Sequence, residues 1–248
     1  MATISEDAKI SNELTLVNGW DTPSGISWAP DSKWITYSLS DLYFNEEIYI
    51  HKVDNSKKPV NISMHPKSDF GAIWSEDGSK IVFSSNRNNG DHDIWFVWLQ
   101  KKDWEKTKQD WDETSEEKKD KKEEKDEKSE EKTEKKVVDV IIDFEDIHER
   151  QQQVTSYNGG EYLTAVSKDG KKIYYTTGNS GRGNPEVTSD LFQINWDGKE
   201  NKEITTENSS PRNITLTSKE DFIYYLNKGK ANRIKLSGSK KESLPFSA

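Results

Sequence analysis

The sequence repeats one spacing of apolar residues four times along its 248 residues. An apolar residue is followed after 12 positions by a second one, and after seven more by an isoleucine. The first members are Leu16, Ile62, Val154 and Ile204, the second are Trp28, Trp74, Val166 and Leu216, and the third are Ile35, Ile81, Ile173 and Ile223. Further steps of 13, 13, 18 and 11 positions reach Ile48, Ile94, Leu191 and Ile234. Constant spacing of this kind indicates a repeat architecture.

Each repeat reads as a set of β-strands. The stretches WITYSL, KIVFSS, KIYYTT and FIYYLN alternate in polarity and are rich in β-branched and aromatic residues, which is typical of half-buried strands. The turn sequences APDSK, SEDGS, SKDGK and SKEDF precede or enter these strands, and their Asp and Gly residues suit tight hairpins. Each repeat is therefore predicted to be an antiparallel meander.

Antiparallel units of about 40 to 50 residues are typical of propeller blades. We therefore predict an all-β fold over residues 1–248: a β-propeller of about four blades, each a four-stranded sheet. The aromatic residues Tyr37, Phe83, Tyr175 and Tyr225 are expected to fill the space between blades. A strand at Leu16 would be the outer strand of an earlier sheet. Four blades could close into a ring, but the more favoured alternative is an arc of a larger propeller.

Residues 101–136 are a charged Lys/Glu-rich insertion within the second blade. Of these 36 residues, 13 are Lys and 15 are Asp or Glu. Such a composition cannot bury enough apolar surface to offset chain entropy, so the insertion is expected to be a solvated excursion. Its two tryptophans, Trp104 and Trp111, are expected to pack against the blade.

The blades and the segment after the insertion carry a family resemblance. WAPDSKWITYS, WSEDGSKIVFSSNRNNGDHDIW and VSKDGKKIYYTT resemble the repeats of TolB-like propellers and of tricorn-type serine peptidases. The insertion followed by VIIDFEDIHERQQQVTSYNGGEY resembles tricorn protease homologues, and NRIKLSGSKKESLPFSA resembles the edge of their second propeller. The resemblance covers most of the chain. It implies a non-catalytic propeller region, with PDZ and peptidase domains downstream in a cytoplasmic parent that is a candidate homo-oligomer; a leader would make the parent periplasmic or exported.

No catalytic residue, cofactor-binding residue or metal site is predicted in this chain. A GxSxG nucleophile elbow is absent from the sequence, and the HExxH zinc pattern at His148 and Glu149 fails because position 152 is Gln. The chain has no Cys, so it offers no thiol nucleophile. Any hydrolase activity would therefore belong to a downstream domain.

Two loops supply candidate binding residues. The loop SSNRNNGDHDIW concentrates Asn86, Arg87 and Asp91. Its oxygen-rich side chains could bind calcium, but the alternative of turn chemistry is favoured. Asp93 in this loop recurs as Glu47 and Asp190 in other blades, which indicates a repeated structural hydrogen bond. The enlarged loop TGNSGRGNPEVTSD contains Arg182, a candidate contact for a peptide carboxylate.

The net charge of −9 argues against nucleic-acid binding, and no stretch is long and apolar enough to predict a membrane span. The expected partners are peptides or unfolded polypeptide, which the propeller would guide or filter toward a downstream active site. The alternatives are a TolB-like protein-binding propeller without a catalytic role and the regulatory propeller of a prolyl-oligopeptidase-like enzyme.

Overall fold

Each of the four repeats forms one four-stranded antiparallel sheet, called here blades 1 to 4. The computed structural model describes residues 1–88, 90–107, 109–111, 138–178, 189–238 and 240–247. A short hairpin of β1 (Thr3–Ile4) and β2 (Ile10–Ser11) comes before blade 1. Within every blade the strands follow one another in sequence order, from an inner first strand to an outer fourth strand.

The strand bounds of the four blades are as follows. Blade 1 consists of β3 (Ser24–Trp28), β4 (Trp34–Ser40), β5 (Glu46–Lys52) and β6 (Val60–Asn61). Blade 2 consists of β7 (Asp69–Trp74), β8 (Lys80–Asn88), β9 (Asp91–Trp98) and β10 (Gln151–Gln153). Blade 3 consists of β11 (Gly160–Val166), β12 (Lys172–Gly178), β13 (Leu191–Asn195) and β14 (Lys202–Glu203). Blade 4 consists of β15 (Arg212–Leu216), β16 (Phe222–Asn227), β17 (Lys230–Lys235) and β18 (Lys240–Ser247).

The spacing of seven residues is the register of the first hairpin in every blade. Its two members lie opposite each other, and the pairs are Trp28 with Ile35, Trp74 with Ile81, Val166 with Ile173, and Leu216 with Ile223. In blade 4 the last step, of 11 positions, does not reach the residue equivalent to Ile48 of blade 1. Ile234 lies opposite Ile223, whereas Ile48 lies three positions further along its hairpin, opposite Ser38. The β16–β17 turn is short, so Ala231 rather than Ile234 occupies the equivalent position.

The hydrophobic core is divided among the three seams between consecutive blades. One cluster includes Ile48 and Trp74 at the first seam, a second includes Phe96 and Ile173, and a third includes Tyr174 and Ile223. Of the aromatic residues expected between blades, Phe83, Tyr175 and Tyr225 are buried in these clusters, whereas Tyr37 is buried on the first face of blade 1. Each blade is therefore stabilised by the blade beside it, as in other repeat proteins.

The four blades form an arc whose first face is open. Trp74 is 5% exposed because blade 1 covers it, whereas Trp28, its equivalent in blade 1, is 49% exposed. The prediction of a strand at Leu16 is wrong, because residues 13–17 contain no strand. An outer strand needs a neighbouring third strand to pair with, and the described residues place no such strand beside Leu16.

The insertion leaves blade 2 after β9, and the chain returns to β10, which pairs with β9. Its first residues form the short helix α1 (Lys101–Trp104), and most of the rest lies outside the described residues. On the return, a 3-10 helix (Ile147–Glu149) precedes Arg150. The buried guanidinium of Arg150 donates to the carbonyl oxygens of Trp98 (3.2 Å) and Glu145 (2.8 Å), which holds the FEDIHER segment against the blade. Among the residues that the structure describes, no helix is both long and apolar enough to cross a membrane.

Candidate functional site: the inner strands and the polar cluster of blades 2 and 3

The inner strands β3, β7, β11 and β15 lie next to one another in blade order, and each contacts the next. Each is the first strand of its sheet and pairs with a neighbour on one side only. On the other side, a row of backbone N–H and C=O groups has no strand partner among the described residues. Unpaired edges of this kind are able to accept an additional extended chain.

Every inner strand carries a break in register at the same place. The breaks lie between Ser24 and Ser27, Phe70 and Ile73, Leu163 and Ala165, and Arg212 and Thr215. In blades 1 and 2 the break contains Gly25 (φ 58°) and Gly71 (φ 67°), in the left-handed region that favours glycine. A Cβ on Gly25 would lie 3.7 Å from the Cα of Gly71, so the two inner strands approach closely at this point.

The polar cluster is a set of buried or half-buried side chains of blades 2 and 3, namely Asp69, Arg87, Asp93, Gln151 and Glu161. It contains a buried ion pair, which lies where β7 begins and β8 ends. The Arg87 guanidinium donates to Asp69 Oδ1 at 2.7 Å and also to Gln151 Oε1. It lies over the Trp95 ring, with 4.6 Å between the guanidinium carbon and the ring centroid. Burial raises the pKa of the Asp69 carboxyl even though Arg87 acts in the opposite direction. The ion pair is held by groups of blade 2 alone, so Arg87 has little freedom to bind an external anion.

Two buried carboxyl groups meet across the seam between blades 2 and 3. Asp93 on β9 is 2% exposed and Glu161 on β11 is 1% exposed, and the negative charge of Asp93 raises the pKa of Glu161. The Gln153 amide donates to Asp93 at 3.1 Å. Burial is the main cause that raises the pKa of both carboxyls. Burial and the neighbouring carboxylate raise the pKa of Glu161 to about 8, so the pair holds one proton between its two carboxyls at neutral pH.

The repeated acidic residue before each third strand has the structural role expected of it in blades 1 and 3. In blade 1 the Ser63 hydroxyl donates to Glu47 at 2.5 Å and accepts the Ile48 N–H at 2.9 Å. In blade 3 the Thr205 hydroxyl donates to Asp190 at 2.9 Å and accepts the Leu191 N–H at 2.9 Å. These bonds tie the end of the fourth strand to the start of the third.

In blade 2 this arrangement is altered. The Thr155 hydroxyl accepts the Ile94 N–H at 2.8 Å, but Asp93 accepts from the Gln153 amide rather than from Thr155. Asp93 lies next to Glu161 of the next blade, so the acidic position that closes a blade elsewhere lies at the contact between two blades here. Neither Glu161 nor Gln153 was singled out from the sequence; the run QQQ at residues 151–153, polar in an expected outer strand, was the available signal.

The candidate residues predicted from the sequence do not form one site. The Asn86 side chain accepts the Ser68 N–H at 2.9 Å and Arg87 pairs with Asp69, so both support the loop that carries them. Asp91 begins β9 opposite Asn88. Arg182 lies outside the described residues. Within the described part of the chain, no group of three or more His, Asp or Glu side chains could hold a metal ion.

Solved structures with the same arrangement of blades include TolB proteins and the tricorn protease. TolB from Acinetobacter baumannii matches with a TM-score of 0.60 and 16% identity, over 96% of this chain and 47% of that chain. A putative TolB from Agrobacterium tumefaciens matches with a TM-score of 0.62 and 12% identity, over 96% of this chain and 70% of that chain. The tricorn protease matches with a TM-score of 0.56 and 11% identity, over 90% of this chain and 22% of that chain. This chain has a TolB-like and tricorn-like propeller fold.

At these identities the likeness establishes the fold alone. The chain spans about half the length of the Acinetobacter TolB, 47%, and about a fifth of the tricorn protease, 22%. No protein-family model and no curated protein matches the sequence. The arc of blades is thus a part of the fold that these larger proteins contain.

Proposed function

We propose that this chain is a non-catalytic propeller segment that binds peptides or unfolded polypeptide along its inner strands. In a tricorn-like parent, it guides or filters these substrates toward a serine peptidase site in another domain. The observation that carries the proposal is the row of inner strands, each with one edge that is unpaired among the described residues.

An extended polypeptide can use these edges by adding itself as a further strand. Its backbone N–H and C=O groups would pair with those of the inner strands, which gives affinity with little dependence on sequence. A folded protein has already paired most of its backbone groups, so it cannot offer a free strand. The inner edges therefore favour unfolded over folded chains, which is the property that a filter needs.

The tricorn protease neighbour supports the link to proteolysis, because it contains the same arc of blades within a longer chain. In this proposal the partners of the segment are the polypeptide itself and the PDZ and peptidase domains of the parent. The polar cluster of blades 2 and 3 has a structural role in this proposal. It fixes the first residues of β7 and β11, two of the strands that provide the inner edges.

A TolB-like role in binding a folded protein is the second candidate. The two TolB structures match more of this chain, 96% against 90%, and their TM-scores of 0.60 and 0.62 exceed the 0.56 of tricorn protease. In this alternative the loops rather than the inner edges would contact the partner, and nothing would be cleaved.

The proposal is tested by comparing two forms of one probe protein. Fluorescein-labelled α-lactalbumin, either native or reduced and carboxymethylated so that it stays unfolded, is titrated with this chain, and fluorescence anisotropy is measured. We expect the unfolded form to bind at least about tenfold more tightly, which corresponds to about 1.4 kcal/mol. Both forms are acidic and the chain carries a charge of −9, so charge attraction does not explain binding. Equal affinity for the two forms, or no binding of either, would overturn the proposal.

A further inference from the structure

Four tryptophans line a groove at the seam between blades 2 and 3, at the end of the blades opposite the polar cluster. They are Trp98 at the end of β9, Trp104 in α1, Trp111 at the start of the insertion and Trp196 after β13. We call this the tryptophan groove. None of the residues that line it belongs to an inner strand, so it is distinct from the proposed polypeptide-binding edges.

The groove has room for a small ligand. One part has a volume of 310 Å³, and an adjoining part of 790 Å³ shares Trp98, Trp111 and Trp196 as walls. These volumes lie within the usual range of small-molecule sites. Lining amide and charged groups include Gln152, Asp103 and Lys106.

Trp98 is 2% exposed and belongs to the core of this seam, with Trp111 and Trp196 packed against it, but the other blades have no tryptophan at the position of Trp98. Trp98 lies opposite Lys80, and the equivalent positions in the other blades are Lys52, Asn195 and Lys235. Trp104 and Trp111 belong to the insertion, which the other blades lack. The insertion, which is otherwise highly charged, thus places Trp104 and Trp111 at the seam that also contains Trp98 and Trp196.

The indole rings pack against one another in a wall, in which Trp98 is buried and Trp111 and Trp196 are half-buried. Trp98 and Trp111 are stacked with centroids 5.0 Å apart, and Trp196 meets Trp98 edge-on at 5.4 Å. Trp104 is 42% exposed and makes no ring contact with another described residue. The groove therefore combines a rigid aromatic wall with an accessible indole at its rim.

The charges in the groove are already balanced by the chain itself. Asp103 pairs with Lys106 at 2.8 Å, and Asp197 pairs with Lys199 at 2.9 Å. Positions suited to a cation over the rings are also filled: Lys106 Nζ lies 4.2 Å from the centroid of Trp111, and Lys80 Nζ lies 4.8 Å from that of Trp98. A charged ligand would gain no net attraction here, and a cationic one would have to displace these lysines.

A neutral ligand with many hydroxyl groups fits this arrangement best. Hydroxyls both donate and accept, so they can bond to the alternating carboxylate, ammonium and amide groups without breaking the ion pairs. A proline-rich peptide also favours aromatic grooves, but it would place carbonyl oxygens against the carboxylates of Asp103 and Asp197. The weakly positive C–H face of a sugar ring complements the negative face of an indole ring. From these observations we infer that the tryptophan groove is a binding site for a neutral oligosaccharide.

The test uses the whole chain and three hexasaccharides: cellohexaose, maltohexaose and N-acetylated chitohexaose. Binding is measured by intrinsic tryptophan fluorescence and by calorimetry, with decaproline and trimethyl-lysine as rival ligands. Trp104→Ala removes the exposed indole, and Gln152→Leu removes an amide at similar volume. Trp20→Ala is the matched control, because Trp20 is 62% exposed but packs near Phe44, away from the groove.

We expect one of the hexasaccharides to bind and to change the tryptophan fluorescence. Trp104→Ala and Gln152→Leu should each weaken its affinity at least about tenfold, which is about 1.4 kcal/mol, whereas Trp20→Ala should leave it unchanged. Three results would overturn the inference: no hexasaccharide binds to the unaltered chain, binding survives both groove substitutions, or decaproline or trimethyl-lysine binds instead.

Discussion

At the scale of single residues, the polar cluster depends on buried charges whose partners come from separate segments. Arg87 is held by Asp69 and Gln151, which lie 18 and 64 residues away in sequence. Removing one partner of a buried ion pair typically costs about 3–5 kcal/mol, because the other charge is left without compensation. The cluster therefore positions the inner strands. The placement of each of its side chains depends on its bonds to the other members more than on contact with solvent.

The Asp93–Glu161 pair predicts an unusual dependence of stability on pH. Burial raises the pKa of Glu161 to about 8 and that of Asp93 to about 6, whereas in the unfolded chain both release their protons near pH 4. The folded state thus holds more protons between these values. The contribution of the pair to the free energy of unfolding is full below about pH 4 and is lost as the pH rises toward about 8.

Replacing Glu161 with Gln should remove most of this pH dependence. The amide can donate to Asp93 at any pH, so the melting temperature of Glu161→Gln should change less than that of the unaltered chain between pH 5 and pH 8. Glu6→Gln serves as the control because Glu6 is exposed. A Glu161→Gln variant with the same slope of melting temperature against pH as the unaltered chain would show that the pair does not share a proton.

At the scale of elements, the hairpins between first and second strands share one geometry built from different residues. The left-handed position is Ser32, Gly78, Gly170 or Glu220, and in each turn its N–H donates to the carbonyl three residues earlier. The turns were predictable from sequence because all four contain Asp and two of them contain Asp-Gly. The fourth was recognisable mainly by its spacing, since Glu220 has low preference for the left-handed region.

These turns differ in the effect expected of a substitution. In Gly170→Ala the new Cβ would lie 2.6 Å from Lys80 Nζ and 3.1 Å from Ser75 Cβ, at a φ of 65°. We expect a loss of about 1–3 kcal/mol in the free energy of unfolding. Ser32→Gly at the equivalent exposed turn relieves a left-handed serine, and should leave stability unchanged or raise it by up to about 1 kcal/mol. Urea unfolding measures both; a Gly170→Ala variant as stable as Ser32→Gly would contradict this account of the turns.

At the scale of the whole molecule, the repeat predicted the blades but not what joins them. The spacings of 12 and seven residues are fixed by a hairpin and the segment next to it in the chain. They can therefore be recognised in the sequence. The contact between Asp93 and Glu161 depends on how two sheets pack, and the tryptophan groove depends on where the insertion folds back. Neither follows from periodicity, because each brings together residues from different blades or from a segment outside the repeat.

The open first face is also a property of the whole arc. The high exposure of Trp28, compared with the burial of Trp74, follows from the lack of a covering blade among the described residues. The inner strands nevertheless keep their order and their common break in register across all four blades. The arc is therefore a continuous platform, and its inner edge is the surface that the proposed function requires.

The most direct test of that function is hydrogen exchange of the backbone amides, measured by mass spectrometry with and without reduced, carboxymethylated α-lactalbumin. Binding along the inner edges predicts slower exchange in β3, β7, β11 and β15 when the unfolded probe is present. The outer strands β6 and β14 are the internal control, because each lies at the other edge of its sheet and likewise pairs with one strand only. Protection confined to the loops, or equal at the inner and outer strands, would contradict the account.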